Sequence, residues 1–398
     1  MASFLRQRRA WSLGSFECGK AGAEMALVSS MYPLTAWVSK PFRARRMFSS
    51  TSRSAGQTFR WLDLEGAGLS MIERLALEEA LFRNTRDNWI LVGRHAVWPP
   101  KHVVVSHIHN TIRDADTTFT DKEYRNILHK SLPGYIDEDG RPNPNGMIVM
   151  GIGGKAEKLL NSRNVIDDQL LVVKRFSGGG TVVMDENAIW TTLIAGRKGT
   201  DETGENTELL CQPYPREIMK WTADAVFGPT FDRLNASQRH LSKSITRDDA
   251  RREPRFSLRE EDYVLTLGGG GDDGEIRKMG GNAQAISGRQ GWLHHTSFLW
   301  DYNPSNMERY LKLPEKRPDY RVDRSHNDFL VKLKEFYGDS NDKRGPSIFL
   351  DAMKEACIET LGIQETDWPT VRKEVFGGSD AKMNSWWLEN RTRIQHEL

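Results

Sequence analysis

The segment Arg175-Phe176-Ser177-Gly178-Gly179-Gly180-Thr181 runs straight out of the apolar stretch Leu170-Leu171-Val172-Val173. Three consecutive glycines at a strand end remove the side chains there and let backbone approach a ligand closely. A phosphate-cradling P-loop needs Gly-Lys-Ser/Thr followed by a helix. Here the glycines lead into Val182-Val183 and, after the turn Asp185-Glu186-Asn187, into Ile189-Trp190-Thr191-Thr192-Leu193-Ile194. The pattern is strand, turn, strand, so the Walker and Rossmann readings fail. The segment reads as a binding site, with a flexible hairpin loop as the alternative.

With 398 residues and 38% apolar content, the chain can bury one large core or two modest ones. Its net charge of +2 hides an asymmetry: residues 1–55 carry +7 and the remainder −5. The body therefore has no nucleic-acid footprint. The N-terminal stretch is rich in Arg and Ser/Thr, poor in acids, and ends in Arg43-Ala44-Arg45-Arg46-Met47-Phe48-Ser49-Ser50. It is predicted to be a disordered mitochondrial presequence spanning residues 1–55, with a plastid transit peptide or a plain basic tail as alternatives. No apolar run reaches eighteen residues, so no membrane span is predicted. Cys18, Cys211 and Cys357 share no ligand spacing and give no disulfide framework.

Ser70-Met71-Ile72-Glu73 is a capping box that predicts a helix to about Asn84. Glu78 and Glu79 stand about 100° apart on it, so one of them borders the buried face, although spacing alone equally allows a solvated pair. Strands are expected at Ile90–Val92, Val103–Val105 and Met147–Met150, with an inserted, charged and Pro/Gly-rich excursion over 109–146. A helix is expected over Tyr214–Phe227, a charged surface loop over 236–255, and strands at Tyr263–Leu267, from Lys278 through Ala283, and at Trp292–Trp300. A last helix runs from Ser347 to Leu361, stopped by Gly362. Strand runs with interspersed helices favour an α+β class, a mixed β-sheet with flanking helices.

Five segments carry a resemblance: Glu78-Glu79 in an early helix, Lys174–Thr181 with Asp185, Arg259-Glu260-Glu261-Asp262, Lys278-Met279-Gly280-Gly281-Asn282-Ala283, and His294-His295-Thr296-Ser297. Their order resembles the lipoate-protein ligase A family of the biotin/lipoate ligase superfamily. That family runs Arg-Arg-x-Ser-Gly-Gly-Gly-Ala-Val, then Asn-Asp, then Lys-x-x-Gly-x-Ala, then His-His-Gly-Thr. The resemblance implies a class II aminoacyl-tRNA synthetase/biotin ligase-like catalytic domain over 56–362. It leaves 363–398 as a tail without the full accessory domain of the bacterial ligases.

The implied activity is activation of lipoate or octanoate by ATP with Mg²⁺, then acyl transfer to a lysine of a lipoyl carrier domain. The carriers would be 2-oxoacid dehydrogenase E2 subunits or the glycine cleavage H protein, with neither nucleic acid nor membrane as a partner. By the same resemblance Lys278 is the catalytic cation, since charge developing on acyl oxygen and phosphate needs a preorganised positive partner. Arg175 would approach the phosphate or carboxyl and Ser177 would donate a hydrogen bond. Gly178, Gly179, Gly180 and Thr181 would line the acyl tunnel with Gly281 and Ala283. Glu79, His294 and His295 complete the implied substrate set, and Asp262 would hold Mg²⁺. An eight-carbon acyl chain buried there gains on the order of 6 kcal/mol, at about 0.8 per methylene.

The chain departs from the family pattern at Met184-Asp185, at Gly151-Ile152-Gly153-Gly154-Lys155, and at Glu261, where the family has Asn. A transferase using a preformed acyl donor keeps the lysine and stands as the alternative. A thioester route would need a thiolate beside it, and a non-catalytic acyl-binding protein is the third reading. Adjacent His294 and His295 point to opposite faces of a strand and cannot easily share one metal ion. Lys312, Lys316, Arg317, Arg321 and Arg324 form a basic stretch, read either as a docking face for an acidic carrier or as a solvated loop.

Overall fold

The computed structural model describes residues 58–67, 69, 71–94, 146–185, 188–196, 210–241, 253–268, 274–288, 291–313, 318–338, 345–378, 391–395 and 398. All fall within the unit Ser54–Leu398. The expected presequence, Ser70 of the capping box, the strand at Val103 and residues 109–145 of the excursion lie outside the described residues.

Six strands form the largest sheet: β1 (Phe59–Asp63), β2 (Asn88–Arg94), β6 (Ala188–Gly196), β10 (Gly280–Ser287), β11 (Gly291–Leu299) and β12 (Ile363–Thr366), in the order β10-β11-β6-β2-β1-β12. β1 is parallel to β2 and β12, while the remaining pairs are antiparallel. Alternation sets its two faces. Leu62, Leu91, Trp190, Ile194 and Leu293 enter one core, against helix α1 (Met71–Asn84). Trp61, Ile90, Val92, Leu193 and Trp292 enter the other, against helix α4 (Ser347–Thr360) and a long helical rod.

That rod joins α2 (Pro215–Thr222), a π turn (Ala223–Phe227) and α3 (Gly228–Leu241). The helix expected over Tyr214–Phe227 thus runs on through Gly228-Pro229 to Leu241. The wider π turn lies just ahead of Pro229, which has no N–H to donate. Phe231 and Leu234 beyond it are buried in the core. Residues 236–241 of the expected surface loop are therefore helical, and β7 (Arg255–Arg259) begins at its end.

A second sheet has the order β13-β4-β3-β5, from β13 (Arg393–Ile394), β4 (Leu171–Lys174), β3 (Met147–Met150) and β5 (Val182–Met184). β4 and β5 are not partners, since β3 lies between them. The glycine segment is thus a crossover over the end of β3 rather than a hairpin loop. The chain then changes sheets, since β5 belongs to the second and β6 to the first. A three-stranded antiparallel sheet holds β7, β8 (Asp262–Leu267) and β9 (Glu275–Lys278).

The expected boundary at Gly362 does not divide the sheets. β12 is the edge strand beside β1, and helix α5 (Trp368–Phe376) sends Val371 and Phe376 into the first core. β13 pairs with Val173 and Lys174. These two short edge strands bury too little of either face to show a period-two signal in the sequence.

Candidate active site

The glycine crossover lies on β10, held there by Arg175. That side chain is 2% exposed and points inward: Nε donates to Ser177 Oγ at 3.1 Å, and Nη1 to the Val149 carbonyl at 3.3 Å. Nη2 donates to the Gly178 and Gly180 carbonyls at 3.1 and 2.7 Å. Burial lowers the guanidinium to about 10. Arg175 therefore shapes the loop from within and is not aimed at a phosphate, while Ser177 accepts its hydrogen bond and keeps its own hydroxyl proton to donate. A buried guanidinium needs acceptors, and the crossover's own carbonyls are the nearest.

The glycines divide by role. Gly178 donates from its N–H to the Gln284 carbonyl at 2.9 Å. At Gly179, φ is +107°, and a Cβ would stand 2.6 Å from the Asn282 carbonyl oxygen and 2.8 Å from the Ala283 Cα. Only glycine meets both demands. A Cβ on Gly180 would meet nothing within 4 Å, so this glycine faces open space. Gly281 makes room for the Val182 side chain, Ala283 is buried opposite His295, and Thr181 Oγ1 is buried without a partner.

Three residues before Gly281 stands Lys278, at the end of β9. Its Nζ lies 2.5 Å from Asp262 Oδ1, and its side chain is 24% exposed. Asp262 Oδ2 accepts from the Tyr320 hydroxyl at 2.9 Å. Burial first, then Asp262, pushes the phenol well above its ordinary range, which keeps it a donor. Both Asp262 oxygens are thus engaged, and no cluster of three His, Cys, Asp or Glu occurs among the described residues. Asp262 alone offers Mg²⁺ a single carboxylate, so an ion bound here would be held largely by phosphate oxygens.

The histidines separate as alternation requires. His295 Nδ1 lies 3.0 Å from Glu78 Oε2 and 3.1 Å from Thr192 Oγ1. Since the Thr192 hydroxyl donates to Glu78 Oε1 at 2.7 Å, the ring proton sits on Nδ1. Trp190 Nε1 also donates to Glu78, at 2.8 Å. Burial lowers the pKa of His295. On the other face His294 Nδ1 accepts from Gln284 at 3.2 Å, and Nε2 stands 3.0 Å from the Tyr263 hydroxyl. Burial, then His295, lowers it to about 3.

Of the two glutamates, Glu78 meets His295. Glu79 instead accepts from Arg83 Nε at 2.7 Å and from the Arg391 N–H at 2.8 Å, so it ties α1 to the segment that leads into β13. Both carboxylates are buried, a result the helical spacing alone did not give.

Cys211 is half-buried and Cys357 buried, and burial first raises each thiol to about 12. Neither offers a thiolate. Within the basic stretch, Arg321 is 4% exposed, and Arg324 donates to the Tyr320 and Ile276 carbonyls. Lys312 Nζ donates to the Glu157 carbonyl, while Lys316 and Arg317 lie outside the described residues. Tyr320, Gln284, Thr192 and Trp190 had no motif to mark them as polar partners of this site.

Residues 143–362 match the family model of the lipoyl protein ligase A/B catalytic domain. The chain belongs to this family. It is 28% identical over 214 residues to a Plasmodium falciparum (isolate 3D7) protein named inactive lipoate–protein ligase 2, covering 52% of each chain. The chain thus spans about half the length of that curated relative. A bi-partite lipoate protein ligase from Thermoplasma acidophilum, described with its E2 lipoyl domain, is 13% identical, with a TM-score of 0.44 over 84% of this chain and 97% of that one. A lipoate-protein ligase A bound with ATP is 14% identical, with a TM-score of 0.44 over 83% and 98%.

Proposed function

We propose that this lipoyl protein ligase A/B family chain transfers a lipoyl or octanoyl group to a lysine of a lipoyl carrier domain, in the mitochondrion. The observation that carries the reading is Lys278. Its ammonium is partly exposed, oriented by Asp262, and placed at the head of the strand on which the glycine crossover lies. An ammonium has three donors, so the Asp262 contact leaves others for substrate. In the transfer step the carrier amine attacks the acyl carbonyl of an acyl-adenylate. The C–N amide bond forms, the acyl C–O bond to phosphate breaks, and AMP and a proton leave. Lys278 stabilises the acyl oxygen and the departing phosphate.

Two routes supply the acyl-adenylate. In the first, the chain makes it from lipoate and ATP. In the second, it accepts an acyl group activated elsewhere, a reading favoured by the inward direction of Arg175 and the full engagement of Asp262. Incubation with lipoate, ATP and Mg²⁺ while following pyrophosphate separates them, with a parallel arm giving preformed lipoyl-adenylate and an E2 lipoyl domain. Pyrophosphate release supports the first route, and transfer only from the preformed donor supports the second. Neither signal would overturn catalysis and leave an acyl-binding protein.

A further inference from the structure

Tyr320 lies in a stretch that the sequence marks only as basic, yet its hydroxyl meets the carboxylate that holds Lys278. Asp262 has one oxygen on Lys278 Nζ at 2.5 Å and the other on the Tyr320 hydroxyl at 2.9 Å. The terminal torsion of an aspartate is broad and roughly two-fold, so a contact to a flexible lysine alone leaves the carboxylate free to turn. A second, fixed donor removes that freedom.

Tyr320 is itself fixed from several sides. Glu260, whose φ of +53° lies in the left-handed region, accepts from the N–H groups of Asp319 and Tyr320 at 3.2 and 3.4 Å. Arg324 donates to the Tyr320 carbonyl at 2.6 Å and to the Ile276 carbonyl at 2.8 Å, which ties this turn to the strand ending in Lys278. The ring packs on Phe329 with centroids 5.3 Å apart. A backbone held this firmly gives the hydroxyl one place to be.

We propose that Tyr320 is a positioning residue for acyl transfer: its hydroxyl fixes the Asp262 carboxylate and through it sets the Lys278 ammonium against the acyl group. The inference rests on the reading of Lys278 given above. It assigns a role to a residue that the family motifs quoted above do not include.

Tyr320→Phe keeps the ring and removes only the oxygen. Transfer from preformed lipoyl-adenylate to an E2 lipoyl domain is measured beside the labelling rate of Lys278 by an amine-reactive reagent, read by mass spectrometry. The expected result is a fall in kcat of about tenfold, as for one hydrogen bond to a charged group. KM for the carrier stays unchanged, and Lys278, released from its carboxylate, is labelled several-fold faster. Adding Asp262→Asn to Tyr320→Phe brings no further loss than Asp262→Asn alone, because both act on one contact. Should Tyr320→Phe fold poorly, Glu260→Gln loosens the same turn with Tyr320 in place and gives a smaller fall in kcat with the same KM. Wild-type turnover with unchanged labelling overturns the proposal, and so does full additivity with Asp262→Asn. If the wild-type protein transfers from no donor while labelling still rises in Tyr320→Phe, the functional reading fails and the positioning role stands.

Discussion

His294 makes the residue scale measurable. It is fully buried as a neutral ring between Gln284 and Tyr263, and burial lowers it from 6.5 to about 3. Between those values the unfolded chain binds a proton that the native ring refuses, so stability rises with pH across this window. The contribution is complete above pH 6.5 and is lost as pH falls towards 3. The urea midpoint is therefore expected to drop between pH 7 and pH 4.5, with a shallower slope for His294→Gln. An unchanged slope in that variant would show that the acid sensitivity lies elsewhere. Side-chain direction is what the sequence could not reveal at this scale. Arg175 belongs to the right loop, but one of the four acceptors that turn it inward, the Val149 carbonyl, comes from a second segment, β3, that only the fold brings beside it. Likewise the helical spacing of Glu78 and Glu79 left both open, and His295 and Arg391 chose between them.

Strand β10 decides matters at the scale of the element. A Cβ on Gly280 would stand 2.0 Å from the Ser297 carbonyl oxygen, so the β10–β11 pairing depends on its absence. Gly280→Ala is expected to cost about 3 kcal/mol or more, at the upper end of overpacking, because the contact is to backbone and cannot swing aside. Gly180→Ala, facing open space, is the control and should leave the urea midpoint of folding unchanged. Equal midpoints for the two variants would contradict this division of the glycines. The resemblance set Gly281 along the acyl tunnel, and in the fold its room is taken by the Val182 side chain, as that of Gly280 is by Ser297. Interior strands were legible for a physical reason: Ile90-Leu91-Val92 and Met147–Met150 are fully buried, and their apolar runs say so. β12, with only Ile363 apolar, and the rod continuing past Gly228-Pro229 were not, because packing on β1 and on Phe231's neighbours supplies what local propensity lacks.

Over the whole molecule, two sheets and a small antiparallel one converge where β9 passes into β10. Met279 marks the passage: its N–H donates to the Tyr263 carbonyl in the small sheet, and its carbonyl accepts from Leu299 in the large one. The order of motifs along the chain foretold which segments would meet, and the fold brings Gly178 and Gly179 onto residues 282–284 and Asp262 onto Lys278. It could not foretell Tyr320, since nothing in its sequence neighbourhood distinguishes a tyrosine aimed at a carboxylate from one in a basic loop.

Lys278→Met keeps the length and apolar stem of the side chain and removes the cation from the head of β10. Transfer from lipoyl-adenylate to an E2 lipoyl domain, measured beside the thermal midpoint, tests the account most directly. The expected result is a rate lower by roughly a hundredfold with an unchanged midpoint, as for loss of one preorganised donor, and no rescue by Lys278→Arg, whose planar fork does not replace a point charge. A Lys278→Met protein with the same midpoint and a near wild-type transfer rate would contradict the account.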